Sequence, residues 1–79
     1  MKIRVDVMLK AGVLDPQGKA IAHALHGLGF NEVLDVRAGK MIELEIAETD
    51  SSAAQAKARA MAEKLLANMV IEDYRIQVA

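Results

Sequence analysis

The sequence contains no cysteine and no tryptophan, one proline, and two aromatic side chains, Phe30 and Tyr74. Without cysteine there are no disulfides to staple a small core and no thiolate metal site. With so few aromatics the chain lacks stacking platforms for single-stranded RNA. Charge of one sign is missing too: ten Lys and Arg face eleven Asp and Glu, a net charge of −1. That removes the electrostatic reason to seek nucleic acid or an anionic membrane. No apolar run approaches the roughly 20 residues that span a bilayer. The N-terminal stretch Met1–Asp6 alternates charges and has no apolar core of a signal peptide. The expected setting is therefore cytoplasmic. Catalytic motifs are also lacking: there is no nucleophile elbow, no H-E-x-x-H, no G-x-G-x-x-G and no P-loop.

A chain of 79 residues is one domain, residues 1–79. Domains this small bury little surface, and with neither disulfide nor metal the common remaining support is association. A homo-oligomer, or a subunit of something larger, is the expectation.

What is present is strong patterning. Ile3, Val5, Val7 and Leu9 alternate with Lys2, Arg4, Asp6, Met8 and Lys10, which predicts a half-buried strand over 2–10. Gly12 ends it. Asp15 is placed as a helix N-cap and Pro16 follows at the first helical position. Ile21, Ala24, Leu25 and Leu28 then form one stripe of an amphipathic helix of about three turns. Gly29 is its expected left-handed end, with Phe30 folding back toward Leu25.

Residues 33–37 and 41–47 read as two strands of a hairpin, with Ala38-Gly39-Lys40 as the turn and Gly39 supplying a positive φ. Ser52 and Gln55 suggest a capping box for a second helix from about 53 to 67, with Asn68 as its left-handed stop. Val70–Val78 reads as the last strand. The order β-α-β-β-α-β predicts an α+β fold, the ferredoxin-like α/β plait. That plait has a four-stranded antiparallel sheet with two helices on one face. Its open face would set Lys2, Arg4 and Asp6 near Glu43 and Glu45.

Candidate chemistry is sparse. His23 and His26 share a helix face, but the sequence offers no further ligands, so they read as surface histidines. Glu43 and Glu45 point the same way on a strand and are balanced by Lys2 and Arg4, so an acid/base pair is disfavoured. Gly12 and Gly18 flank a helix start, where an anion would compete with the Asp15 carboxylate. No catalytic residue, cofactor site or metal site is assigned.

One combination carries identity. The stretch Leu9-Lys10-x-Gly12-Val13-Leu14-Asp15-Pro16-Gln17-Gly18-x-Ala20-Ile21 resembles the signature of the PurS family, the small subunit of phosphoribosylformylglycinamidine (FGAM) synthase. Ala24-Leu25-x-x-Leu28-Gly29-Phe30, Val36-Arg37-x-Gly39-Lys40 and the run from Met61 to Tyr74 agree in order. Met69 departs from the family's usual proline, and Ala62 from its usual cysteine.

The resemblance implies a non-catalytic structural subunit in de novo purine synthesis. It would act as a homodimer, with a tetramer as a further option for the isolated chain. It would bridge the PurQ glutaminase and the PurL synthetase and assist ammonia transfer; ATP and Mg belong to the PurL partner. Lys10, Gly12, Gln17 and Gly18, with Arg37, Gly39 and Lys40 at the hairpin tip, are the expected partner contacts, because function sits on loops of a rigid scaffold. Lys10, Gln17 and Gly18 stand out, since local turn and cap rules give no reason for them. The alternatives are an ACT-like dimer binding an amino acid, and an acylphosphatase-like enzyme, for which Lys10–Leu14 lacks the needed Arg and Asn.

Overall fold

A computed structural model describes all residues 1–79. The elements are β1 (Lys2–Leu9), α1 (Pro16–Gly27), β2 (Gly39–Glu45), α2 (Ser51–Met61), a π-helical turn (Ala62–Leu66) and β3 (Glu72–Val78). The sheet is antiparallel and three-stranded, in the order β2-β1-β3.

The alternation of β1 works as expected. Ile3, Val5 and Val7 are fully buried and form the centre of the core. They pack against Ala54, Ala58 and Ala62, a small-residue stripe that lets α2 lie close on the sheet. Across the sheet, Ile3 pairs with Leu44 and Val78, and Val5 with Ile42 and Ile76. The other face carries the expected charges in register: Lys2 opposite Glu45, and Arg4 opposite Glu43. Arg4 lies 3.2 Å from Asp6 and 2.5 Å from the Gln77 amide oxygen.

Three expectations about the sheet and its packing need correcting. First, the sheet has three strands. Residues 33–37 form no strand and join no ladder of the sheet. Second, Ala38-Gly39-Lys40 is no turn. Gly39 has no positive φ and begins β2, opposite Met8. Glycine is needed there for space, since a Cβ would collide with Met8 Sδ and lie 2.6 Å from the Val7 carbonyl oxygen. Third, the two helices do not share a sheet face. α2 packs on β1 and β3, whereas α1 has no packing interface with the sheet or with α2. Instead α1 projects away and residues 30–38 return beside it, forming an arm. The molecule measures 48 × 25 × 14 Å.

Helix ends follow local chemistry with adjustments. α1 ends in a Schellman motif: Phe30 N–H donates to the Leu25 carbonyl and Gly29 N–H to that of His26, each at 3.0 Å, with Gly29 at φ 99°. α2 is capped by Asp50, whose carboxylate accepts from Ala53 N–H at 3.2 Å; the Ser52 cap does not form. A carboxylate one turn ahead of Ala53 competes well with the serine hydroxyl. Asn68 is not left-handed. It ends the π turn through its side chain, which accepts from Val70 N–H, and through its carbonyl, which accepts from Ile71 and Glu72.

The bond from Ile71 N–H to the Asn68 carbonyl puts Met69 at the second position of a β-turn, where proline is favoured. The Met69 N–H donates to no group in the chain. Met69→Pro should therefore stabilise the fold by about 0.4–1 kcal/mol through the unfolded state. The midpoint of urea unfolding, with m unchanged, is the measurement that checks it.

Candidate functional site

The joint between β1, α1 and the returning segment is where sequence signals concentrate. Gly12 turns the chain out of β1 at φ 85°. Lys10 is held by its backbone: its N–H donates to Ile71 and its carbonyl accepts from Val13. Asp15 then starts α1, and it does more than cap. One carboxylate oxygen accepts from Gly18 N–H at 2.8 Å, the other from Ala38 N–H at 2.9 Å. One side chain thus ties the start of α1 to the end of the returning segment. The N–H groups of Gly18, then of Ala38, hold the Asp15 carboxyl below its ordinary value, and the Arg37 charge adds to this. Arg37 donates to the Leu9 carbonyl and closes the joint from the other side.

Gly18 sits beneath. It is the one buried residue of α1. A Cβ there would collide with the Val36 carbonyl oxygen and lie 2.8 Å from an Asp15 carboxylate oxygen. Its helix-unfavourable glycine has a reason inside the chain: the returning backbone passes directly over it.

The structure gathers the expected contact residues at this end of the sheet. Lys10, Gly12 and Arg37 line one open cleft with Lys19 and Asp35. Gln17, Gly39 and Lys40 line a second hollow with Val7 and Glu72. Asp15 lies between and lines both. His26 lies apart, with its Nε2 2.7 Å from the Val33 carbonyl oxygen, which fastens the returning segment to α1. No group of three or more His, Asp or Glu side chains converges into a metal site.

Sequence reasoning missed the second role of Asp15 and the exposure of the arm. The aspartate satisfied a capping rule, which left no signal for a partner 23 residues away. The arm carries Ile21, Leu28, Phe30 and Leu34 on its surface, with Leu34 96 % and Leu28 74 % exposed.

Comparison with known proteins decides the family. The PurS model, described as phosphoribosylformylglycinamidine (FGAM) synthase, matches residues 2–79. The PurS subunit of FGAM synthase from Bacillus subtilis is 54 % identical over 77 residues, 98 % of this chain and 90 % of that protein. The chain belongs to the PurS family. Crystalline PurS from Methanocaldococcus jannaschii superposes with a TM-score of 0.88 at 45 % identity, over 99 % of this chain and 94 % of that one. A chain in the structure of PurLQS from Thermotoga maritima superposes at 0.87 with 32 % identity, over 96 % and 93 %. At such coverage the PurS likeness includes the arm as well as the sheet.

Gly18→Ala should cost about 1–3 kcal/mol by overpacking against Val36, despite the better helix propensity of alanine. Thermal unfolding checks it. Asp15→Asn replaces one acceptor oxygen by an N–H donor, so one of the two bonds is lost and the midpoint should fall. The Asp15 pKa is lowered on folding, so its stabilisation is complete above the unfolded value and fades as pH falls below about 4. The stability gap between wild type and Asp15→Asn should therefore narrow in acid, as followed by circular dichroism between pH 7 and 2.

Proposed function

We propose that this chain is the non-catalytic small subunit of FGAM synthase, and that it bridges the PurL synthetase and the PurQ glutaminase as a homodimer in the cytoplasm. The observation that carries the reading is the PurS match over residues 2–79. The complex converts formylglycinamide ribonucleotide, glutamine and ATP to FGAM, glutamate, ADP and phosphate. In this reading the glutaminase releases ammonia and the synthetase consumes it. ATP and Mg belong to the synthetase; this chain holds neither.

The physical need is plain. Ammonia diffuses fast and is protonated in water near neutral pH, which removes its nucleophilicity. A subunit that seats one active site against another shortens the path and excludes water. Such a subunit needs shape and interfaces, not a nucleophile. That fits a chain whose charged sheet face sets opposite charges across neighbouring strands and whose functional signals lie at a joint held by side-chain bonds. The contacts we assign are Lys10, Gly12, Gln17, Gly18, Arg37, Gly39 and Lys40, with Gly18 acting from beneath by letting the segment above it settle.

Lys10 and Lys40 are the cleaner probes, because the Arg37 side chain also serves the fold. Lys10→Glu with Lys40→Glu should weaken assembly with the synthetase and glutaminase of the same organism by about tenfold or more, as expected for like charges brought together. The read-out is co-purification with glutamine and ADP present. Undiminished co-purification would remove this end of the sheet from the interface. Screening the isolated chain against amino acids should give no rise in melting temperature; a specific rise would favour the ACT-like reading.

A further inference from the structure

The cleft beside the joint holds positive charge and hydrogen-bond donors that nothing in the chain uses. Lys10 just past β1, Lys19 on α1 and Arg37 on the returning segment line it from three sides of the joint. None of the three enters an ion pair; those of the chain are Met1–Glu45, Arg4–Asp6 and Lys57–Glu48. Ala11, Gly12 and Leu14 line the same cleft, and their N–H groups donate to no group in the chain. The acceptors of the cleft, in contrast, are largely spent. Asp15 accepts with both oxygens from Gly18 and Ala38, Asp35 accepts from Val36 N–H at 3.0 Å, and the Lys10 carbonyl accepts from Val13. A cleft so supplied fits a ligand rich in acceptors.

The spread of charge says which kind. Three cations stand against two carboxylates, Asp15 and Asp35, in the same cleft. A compact dianion such as phosphate would meet the repulsion of the carboxylates along with the attraction of the cations. An extended peptide spreads its charge instead. Separate Asp or Glu side chains can reach Lys10, Lys19 and Arg37 one by one, and main-chain carbonyls can accept from the free N–H groups. An apolar side chain would cover Leu14, which is 65 % exposed. The acidic stretches of the chain itself are already committed. Glu48 holds Lys57, Glu72 accepts from Asn68 N–H, and Glu43 and Glu45 lie opposite Arg4 and Lys2.

We propose that this cleft seats an extended acidic segment of one of the larger FGAM synthase subunits, with Lys19 as a third cationic contact beside Lys10 and Arg37. The inference rests on the subunit reading above and adds the chemistry of the docked segment.

Lys19 is the probe, because it takes no part in the Asp15–Ala38 and Arg37–Leu9 bonds that hold the joint. Binding of the chain to the synthetase and glutaminase of the same organism, with glutamine and ADP present, is measured at about 0.05 M and about 0.5 M salt. Wild type should bind less tightly as salt rises. At low salt Lys19→Glu should weaken binding about tenfold and Lys19→Met less, because only the first adds repulsion. Both losses should shrink at high salt, with melting curves matching wild type. Arg59→Glu, on α2 and outside the cleft, should bind as wild type does. If wild type assembles and Lys19→Glu binds as tightly at low salt, the acidic segment is overturned and the subunit reading stands. A loss that is equal at both salts, or that Arg59→Glu reproduces, overturns it in the same way. A wild type that fails to assemble overturns both. Inorganic phosphate titrated into the isotope-labelled chain should leave the amide resonances of Ala11, Gly12 and Leu14 in place. Saturable shifts there would give the cleft to a small anion and overturn the peptide.

Discussion

The Asp15 carboxylate is the constraint on which the rest depends. Its two oxygens accept from two backbone N–H groups far apart in sequence, so it fixes where α1 starts and where the returning segment ends. Charge-assisted bonds of this kind are short and directional, which suits a joint that sets the angle of a whole arm. Gly18 and Arg37 complete it, one by absence of a side chain and one by reaching the Leu9 carbonyl. The position of the arm follows largely from this small cluster, since α1 has no substantial interface with the sheet.

Much of the fold was legible because it is written in local rules. Alternation in β1, the cap at Asp15, proline at the helix start and glycine at Gly29 all act within a few residues, and the structure forms each of them. Strand 33–37 failed for an instructive reason. Its alternation of Leu34 and Val36 with Asp35 and Arg37 is a strand pattern, yet the segment joins no ladder. Whether such a segment finds a ladder depends on a strand edge within its reach, and alternation says nothing about that. The Ser52 cap failed because Asp50 offered a stronger acceptor.

The candidate site was legible as a set of residues and illegible as a geometry. Lys10, Gln17 and Gly18 stood out by lacking a local purpose, and Gly12, Arg37, Gly39 and Lys40 by their place at loops; they fall around one corner of the molecule. The role of Gly18 was hidden, because the group that needs its missing Cβ is the carbonyl of Val36, a contact that sequence spacing does not encode. The family likeness and the structure meet at this corner: the most characteristic stretch of sequence builds the joint.

The alanine stripe of α2 has its own consequence for what can pass through the chain. Ala54, Ala58 and Ala62 bring the helix so near Ile3, Val5 and Val7 that all six are fully or almost fully withdrawn from solvent. The four hollows of the molecule all open outward. Even a small neutral solute has no conduit through such an interior. Any solute that moves past this chain moves along its outer surface, because Ala54, Ala58 and Ala62 leave no space between α2 and β1.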